Sequence, residues 1–293
     1  MSWCNGLEEI CRADVPLREH TWYGLGGPAR WFVTPRHEEE LSAVLVRCTE
    51  HGIPWRMLGR GANVLVRDEG FDGVVIRLSG PAWETIGFDD SRAHAGGGAD
   101  FPKLVKETAS RGLAGLEGLA GIPGTVGGAV RMNAGGRHGS VSQFVRGVRL
   151  MMPDGSCCFR DAGEMGFAYR SSKLDGAIVV TATFELQPGD PAVVMERFQQ
   201  VWNEKRATQP PMSAKSAGCV FKNPPGQAAG ALIDQAGLKG HRCGAAEIST
   251  RHANFILAYP GATAQNVLDL IALAKERVHE RTGIELELEV EVW

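Results

Sequence analysis

Residues 115–136 read GLEGLAGIPGTVGGAVRMNAGG, with glycine at 115, 118, 121, 124, 127, 128, 135 and 136. No other stretch limits the fold as strongly. A glycine inside regular helix or strand costs about 0.5–1 kcal/mol relative to alanine, so an ordinary helix or strand is not expected here. Glycine instead permits close backbone approach and positive φ. The interleaved Ile122, Val126, Ala129 and Val130 exclude a flexible linker. The run is expected to be a structured loop whose N–H groups face an anionic or planar ligand. A tight glycine-rich packing junction fits the same residues.

The chain of 293 residues is long enough for two or three modules, and its formal net charge of −3 excludes a general polyanion-binding surface. No nucleic-acid partner is therefore expected. No apolar run approaches the roughly 20 residues of a membrane span. The N-terminal MSWCNGLEEICRADVPL has Glu8 and Glu9 where a signal peptide would be basic and then apolar, so no membrane partner and a cytoplasmic location are expected. Cysteines stand at 4, 11, 48, 157, 158, 219 and 243, with no CxxC pair, so reduced thiols and no metal site are expected.

Periodicity and punctuation outline the elements. Residues 37–52 read as a helix with acidic Glu38–Glu40 in its first turn and Gly52 as its stop. Strands are expected at 55–58 and 74–78, on either side of GRGANVLVRD (59–68). No helix opens after Gly61, so this is not the Rossmann fingerprint. Asp100 is expected to cap a helix running to Gly112, with Pro102 early in it. Residues 145–152 and 156–160 read as a hairpin turned by Pro153–Asp154–Gly155, and 177–186 as a β-branched strand. Further helices are expected at 190–206, around Leu232 and Ile233, and at 263–282 with Thr263 as N-cap. A strand is expected at 254–258. The terminal IELELEVEV alternates strictly, so Ile284, Leu286, Leu288, Val290 and Val292 are expected to share one face of a last strand, with glutamates on the other.

The two glycine loops, 59–64 and 115–136, suit a ligand with two anionic groups or one long one, such as a pyrophosphate-linked dinucleotide. Asn63 adds a side-chain donor. Arg170, in Tyr169–Arg170–Ser171–Ser172, can bind or polarise an oxygen, and equally suits a surface position. Cys219, in SAGCVFKNP, carries a thiol, a group that is mostly protonated at neutral pH when unperturbed and so can donate a proton; it also suits a packed small residue. Lys222 and Asn223 can hold a phosphate or carbonyl. The four glutamates 285, 287, 289 and 291 read as a solvated face, from which one can serve as an acid or electrostatic support.

GRGANVLVRD, GLEGLAGIPGTVGGAVRMNAGG, FAYRSS, SAGCVFKNPPG, AGALIDQAGLKGHRCGAAEISTRHANFI and GIELELEVEV follow one another in an order that resembles the UDP-N-acetylenolpyruvoylglucosamine reductase family, shorter type, over roughly residues 20–292. The resemblance implies an α+β fold: an FAD-binding domain of the vanillyl-alcohol-oxidase (PCMH) type over 20–187, with lobes of about 20–80 and 81–187, then a smaller α+β substrate-binding domain over 188–293. It implies non-covalent FAD, NADPH as co-substrate and UDP-N-acetylglucosamine enolpyruvate as substrate, handled by a monomer. The resemblance also implies that hydride passes from NADPH to flavin and then to C3 of the enolpyruvyl group, and that C2 takes a proton.

Carried over by motif, Arg170 stabilises the enolate-like charge. Cys219 is the proton donor, where many members have serine. Glu289 supports the enolate, as a protonated carboxyl or through a water. Tyr169, Lys222 and Asn223 are implied to bind substrate. The implied flavin contacts are Tyr23, Gly24, Gly59, Arg60, Gly61, Ala62, Asn63, Val64, Gly121, Ile122, Pro123, Gly124, Thr125, Gly127, Gly128 and Asn133. Glu291 stands where the family often has arginine. An oxidase built on the same domain type and a non-catalytic sugar-nucleotide or flavin binder are the competing readings.

Overall fold

The computed structural model describes residues 3–293. The chain divides into two units, the first made of residues up to Ala13, Trp31–Gly59 and Gly73–Lys205, the second of Asp14–Arg30, Arg60–Asp72 and Arg206–Trp293. The second unit thus gathers 14–30 and 60–72 with the C-terminal residues, whereas the sequence reading groups 20–30 and 60–72 with the flavin domain.

The first unit is built on a five-stranded antiparallel sheet in the order Cys157–Asp161, Val145–Met151, Ile178–Glu185, Arg92–Gly96, Ile86–Asp89. The expected hairpin is its edge. The strands Ile86–Asp89 and Arg92–Gly96 are not anticipated from sequence, because glycine, histidine and aspartate interrupt their alternation. The register slips between Arg149↔Thr181 and Leu150↔Val179, leaving Val180 as the extra residue of a β-bulge. The bulge divides the strand between two cores. Val179, Ala182 and Phe184 join Phe101, Leu104, Leu116, Val126 and Val148 in one. Ile178 and Val180 join Val33, Leu41, Leu45, Trp83 and Met151 in the other.

Helix α1 (Glu38–Glu50) buries Leu41, Val44, Leu45 and Cys48 along one stripe, and its three leading glutamates complement the helix dipole. Helix α2 (Phe101–Ser110) starts where the Asp100 carboxylate accepts the Lys103 N–H at 2.7 Å. Contrary to expectation, the glycine run is not wholly irregular: Val126–Arg131 form a six-residue helix, α3. The Thr125 hydroxyl accepts the Gly128 N–H at 3.2 Å and starts it, so a good cap outweighs two unfavourable glycines. Helix α4 (Pro191–Thr208) buries Val194 and Val201.

The second unit has a three-stranded antiparallel sheet, Arg242–Cys243, Ala246–Ile248 and Ile256–Ala258, with helices α5 (Ala229–Gln235) and α6 (Ala264–Thr282). Helix α6 has a Thr263–Asn266 capping box, and Gly283 ends it at φ +72°. The Asp68 carboxylate caps it a second time, accepting the Ala264 and Gln265 N–H groups at 2.9 and 3.1 Å. Tyr23, Leu25 and Leu65 complete a core otherwise drawn from residues 217–290. The expected last strand is only partly regular. Leu286 and Val290 are buried and Glu285 and Glu287 exposed, as alternation requires. Leu288 forms a short antiparallel bridge with Phe221, and Glu291–Val292 then pairs in parallel with Val64–Leu65.

Candidate functional site

In the first unit the glycine run is anchored against residues 97–101. Phe101 N–H donates to Gly124 O at 3.1 Å, Val126 N–H to Ala99 O at 2.9 Å and Gly127 N–H to Gly97 O at 2.8 Å. A Cβ on Gly127 would lie 2.9 Å from the Gly97 carbonyl oxygen, so this half of the run is the packing junction. One expectation is corrected here: the amides of Val126, Gly127 and Gly128 are already used within the protein and do not face a ligand.

The other half is different. Gly124 has φ +121°, and a Cβ there would meet nothing within 4 Å. The Gly124 and Thr125 amides donate to no protein group among the described residues. These two N–H groups beside open space are what the run offers an anion. Ile122 and Pro123 precede them, and Ile122 packs at the edge of the first core. Gly121, at φ +77°, is met instead by Lys205 and Trp202 of α4, and Lys205 Nζ donates to Ala120 O at 2.6 Å. Gly59 packs on the cap itself: a Cβ would lie 2.8 Å from Thr125 Oγ1.

Arg170 sits at the third position of a tight turn closed by Ala168 N–H to Ser171 O at 3.0 Å and Ser171 N–H to Ala168 O at 3.2 Å. Its φ of +58° is unusual for a non-glycine residue, and its guanidinium lies 4.8 Å from the ring centre of the exposed Tyr169. Asn133 holds this turn in place. Its side chain donates to Ala168 O at 2.9 Å and accepts from Ser142 N–H at 3.0 Å. The Asn133 amide, expected to meet a cofactor, is spent on protein.

In the second unit Gly61 has φ +65°, and a Cβ there would lie 2.3 Å from the His20 carbonyl oxygen, so this glycine closes a turn. Arg60 and Ala62 flank it, and Ala62 is buried. Asn63 donates its side-chain amide to the Glu289 carbonyl at 2.9 Å. The Tyr23 ring is buried in the unit's core, and burial raises its hydroxyl's pKa; the Ala217 backbone faces that hydroxyl without an ordinary hydrogen bond. What the 23–24 segment can present is therefore backbone, with Gly24 at φ +66° beside the Lys215 side chain.

Cys219 is half-buried and follows Gly218, which has φ +74° and open space around a built Cβ. The next residues are fixed by the buried Asn254, whose side chain accepts Phe221 N–H at 2.9 Å and donates to Phe221 O at 2.8 Å. No motif in the sequence singles out Asn254. Lys222 Nζ pairs with Glu287 at 3.2 Å, and the Asn223 side chain accepts Ala229 N–H at 3.0 Å, starting α5. Glu289 and Glu291 are half-buried, unlike Glu285 and Glu287.

A cleft of about 710 Å³ in the first unit, lined by Glu117, His138, Phe144, Arg197 and Glu204 among others, contains none of the expected residues. Its charges compensate one another: Glu204 pairs with Arg137 and His138, and Glu117 with Arg197. Among the described residues no group of His, Cys, Asp and Glu could hold a metal ion, and no helix is long and apolar enough to cross a membrane.

Residues 29–158 match the model of an FAD binding domain, and 209–293 that of the UDP-N-acetylenolpyruvoylglucosamine reductase C-terminal domain. UDP-N-acetylenolpyruvoylglucosamine reductase 2 of Symbiobacterium thermophilum is 44% identical over 97% of this chain and 92% of its own length. The crystal structure of UDP-N-acetylenolpyruvylglucosamine reductase from Thermus caldophilus, 44% identical, superposes with a TM-score of 0.84 over 97% of this chain and 100% of that one. At 20% identity, Phl p 4.0202, a glucose dehydrogenase, shares the fold with a TM-score of 0.52 over 65% of this chain and 45% of its own. The architecture is therefore α+β, an FAD-binding domain of the PCMH type with a second, C-terminal domain. Identity of 44% over nearly the whole chain makes it a member of the UDP-N-acetylenolpyruvoylglucosamine reductase family.

Proposed function

We propose that the chain reduces UDP-N-acetylglucosamine enolpyruvate to UDP-N-acetylmuramate for peptidoglycan precursor synthesis, with NADPH as co-substrate and FAD bound non-covalently. The observation that carries this reading is the 44% identity sustained over 97% of the chain. The residues present fit a flavin dinucleotide: Gly124 and Thr125 offer two amide donors beside a position that any side chain would fill. FAD, when bound, supplies the two-electron relay between nicotinamide and enolpyruvyl group.

The chain's own residues then have separate tasks. Arg170 carries a fixed positive charge on a turn whose strained φ is held by Asn133, which suits it to the negative charge that develops on the substrate's carboxylate side. Cys219 delivers the proton to C2 of the substrate, and Glu289 supports the same charge. Lys222 and Asn223 serve the diphosphate region, with Tyr169 beside Arg170. The flavin is assigned to Tyr23–Gly24, Gly59–Val64 and the Gly121–Asn133 run, where Gly124 and Thr125 carry the available amides while the 126–128 amides and the Asn133 side chain serve packing. The domains are assigned to 20–187 and 188–293. A cytoplasmic monomer is the working state.

The test is a visible spectrum. Purified protein should be yellow, bleach anaerobically with NADPH, and recolour when the enolpyruvyl sugar nucleotide is added. Bleaching without recolouring overturns the substrate assignment.

A further inference from the structure

We propose that Asn63 is a positioning residue for Glu289: its side-chain amide locks a β-bulge that sets where the glutamate side chain leaves the backbone. The inference rests on the reading of Glu289 as a support for substrate charge. Its geometry lies wholly within the second unit.

The segment around Glu289 begins as a regular antiparallel partner of residues 220–222. Phe221 faces Leu288, with Lys222 N–H donating to Glu287 O at 2.9 Å and Glu289 N–H to Val220 O at 2.8 Å. The ladder then breaks. Val290 N–H also donates to Val220 O, at 3.2 Å, so two consecutive amides share one carbonyl. That pattern defines a bulge with Glu289 as its first residue, and bulges re-aim the side chains they carry.

In an unbroken ladder the Glu289 carbonyl would accept the Val220 N–H. That N–H is taken by Asn254 O at 2.8 Å. The Glu289 carbonyl is left without a ladder donor, and Asn63 Nδ2 supplies one at 2.9 Å. The acceptor is a carbonyl, so the group facing it is the NH₂. Asn63 acts a second time through its own carbonyl, which accepts Glu291 N–H at 3.0 Å. One residue thus brackets Glu289 on its C-terminal side, where the segment leaves 220–222 and joins Val64–Leu65. Asparagine suits this role and aspartate does not, because aspartate places an oxygen against an oxygen.

The experiment uses the flavin-loaded enzyme with Asn63→Asp, which keeps the size of the side chain and removes the donor, and Asn63→Ala as a second variant. Stopped-flow absorbance separates bleaching by NADPH from recolouring by the enolpyruvyl sugar nucleotide. In the flavin-loaded fraction of both variants recolouring should slow about 10- to 100-fold more than bleaching, as expected of a displaced charged group. Hydrogen exchange of residues 287–293 should quicken. In an Glu289→Gln background Asn63→Asp should add less than about twofold. Equal slowing of both half-reactions, an undiminished effect beside Glu289→Gln, or unchanged exchange would each overturn the proposal. If Glu289→Gln alone recolours normally, the role given to Glu289 fails, and the exchange measurement still decides whether Asn63 holds the bulge.

Discussion

Replacing Asn133 separates two contributions that the structure assigns to one residue. Its side chain makes two hydrogen bonds, to Ala168 O and from Ser142 N–H, and only 7% of the residue is exposed. Each such bond contributes about 0.5–1.5 kcal/mol net, so losing both should cost about 1–3 kcal/mol. Asn133 also has φ +39°, a left-handed conformation that asparagine adopts more readily than alanine by about 1 kcal/mol. Asn133→Ala should therefore destabilise the protein by about 2–4 kcal/mol. Asn133→Gly, which keeps the backbone conformation, should fall about 1 kcal/mol short of that. Asn133→Asp keeps the acceptor for Ser142 but sets a buried carboxylate oxygen against the Ala168 carbonyl, so it should cost at least as much as the alanine change. Urea unfolding of the three variants at unchanged m-value gives the ordering. The two bonds to residues 168 and 142 would not be a stabilising clamp if all three variants lay within about 0.5 kcal/mol of the parent. Equal losses for alanine and glycine would refute the backbone contribution. Because the clamp holds the Arg170 turn, the variants should also slow recolouring by substrate more than bleaching by NADPH.

The proton-donor assignment predicts that Cys219→Ser keeps substantial activity while Cys219→Ala loses orders of magnitude in the substrate half-reaction only; an equal loss in the NADPH half-reaction contradicts it. Gly61→Ala places a methyl 2.3 Å from the His20 carbonyl oxygen at a left-handed φ and should cost about 2–5 kcal/mol of stability by thermal or urea unfolding. Gly124→Ala meets no protein atom within 4 Å, so its loss should show mainly as weaker flavin retention on dialysis, with only backbone strain of about 1–3 kcal/mol in the fold. Burial lowers the pKa of the half-buried His252, whose Nδ1 accepts Asn254 N–H at 3.3 Å. The unfolded chain therefore binds the extra proton first: this contribution to stability is complete above about pH 6.5 and is lost as pH falls through the lower folded value. His252→Gln should flatten that part of the stability–pH curve, and an unchanged curve would remove His252 from the account.

Where periodicity and capping are local, the sequence determines the structure by itself. Helix α6 is specified by Thr263, its inward stripe of Val267, Leu270, Ile271, Ala274 and Val278, and Gly283. The 145–161 hairpin follows from its turn residues and flanking strands. The ordered motifs were sufficient to indicate the family and its flavin, because those residues are contiguous in the chain. Tertiary structure decided what each polar side chain is used for, since that depends on partners far away in sequence. Asn63 and Asn133 look alike as donors in glycine-rich loops, yet one meets Glu289 and the other Ala168. The glycine run likewise reads as one loop, but contact with Gly97 makes one half a packing junction and leaves Gly124 open. The strict alternation of IELELEVEV predicts an unbroken strand; Asn254 takes the amide that would have paired with Glu289, and the strand bulges there. A pattern of period two cannot encode that event, because it records which residues avoid water and not which hydrogen-bonding groups remain to be satisfied.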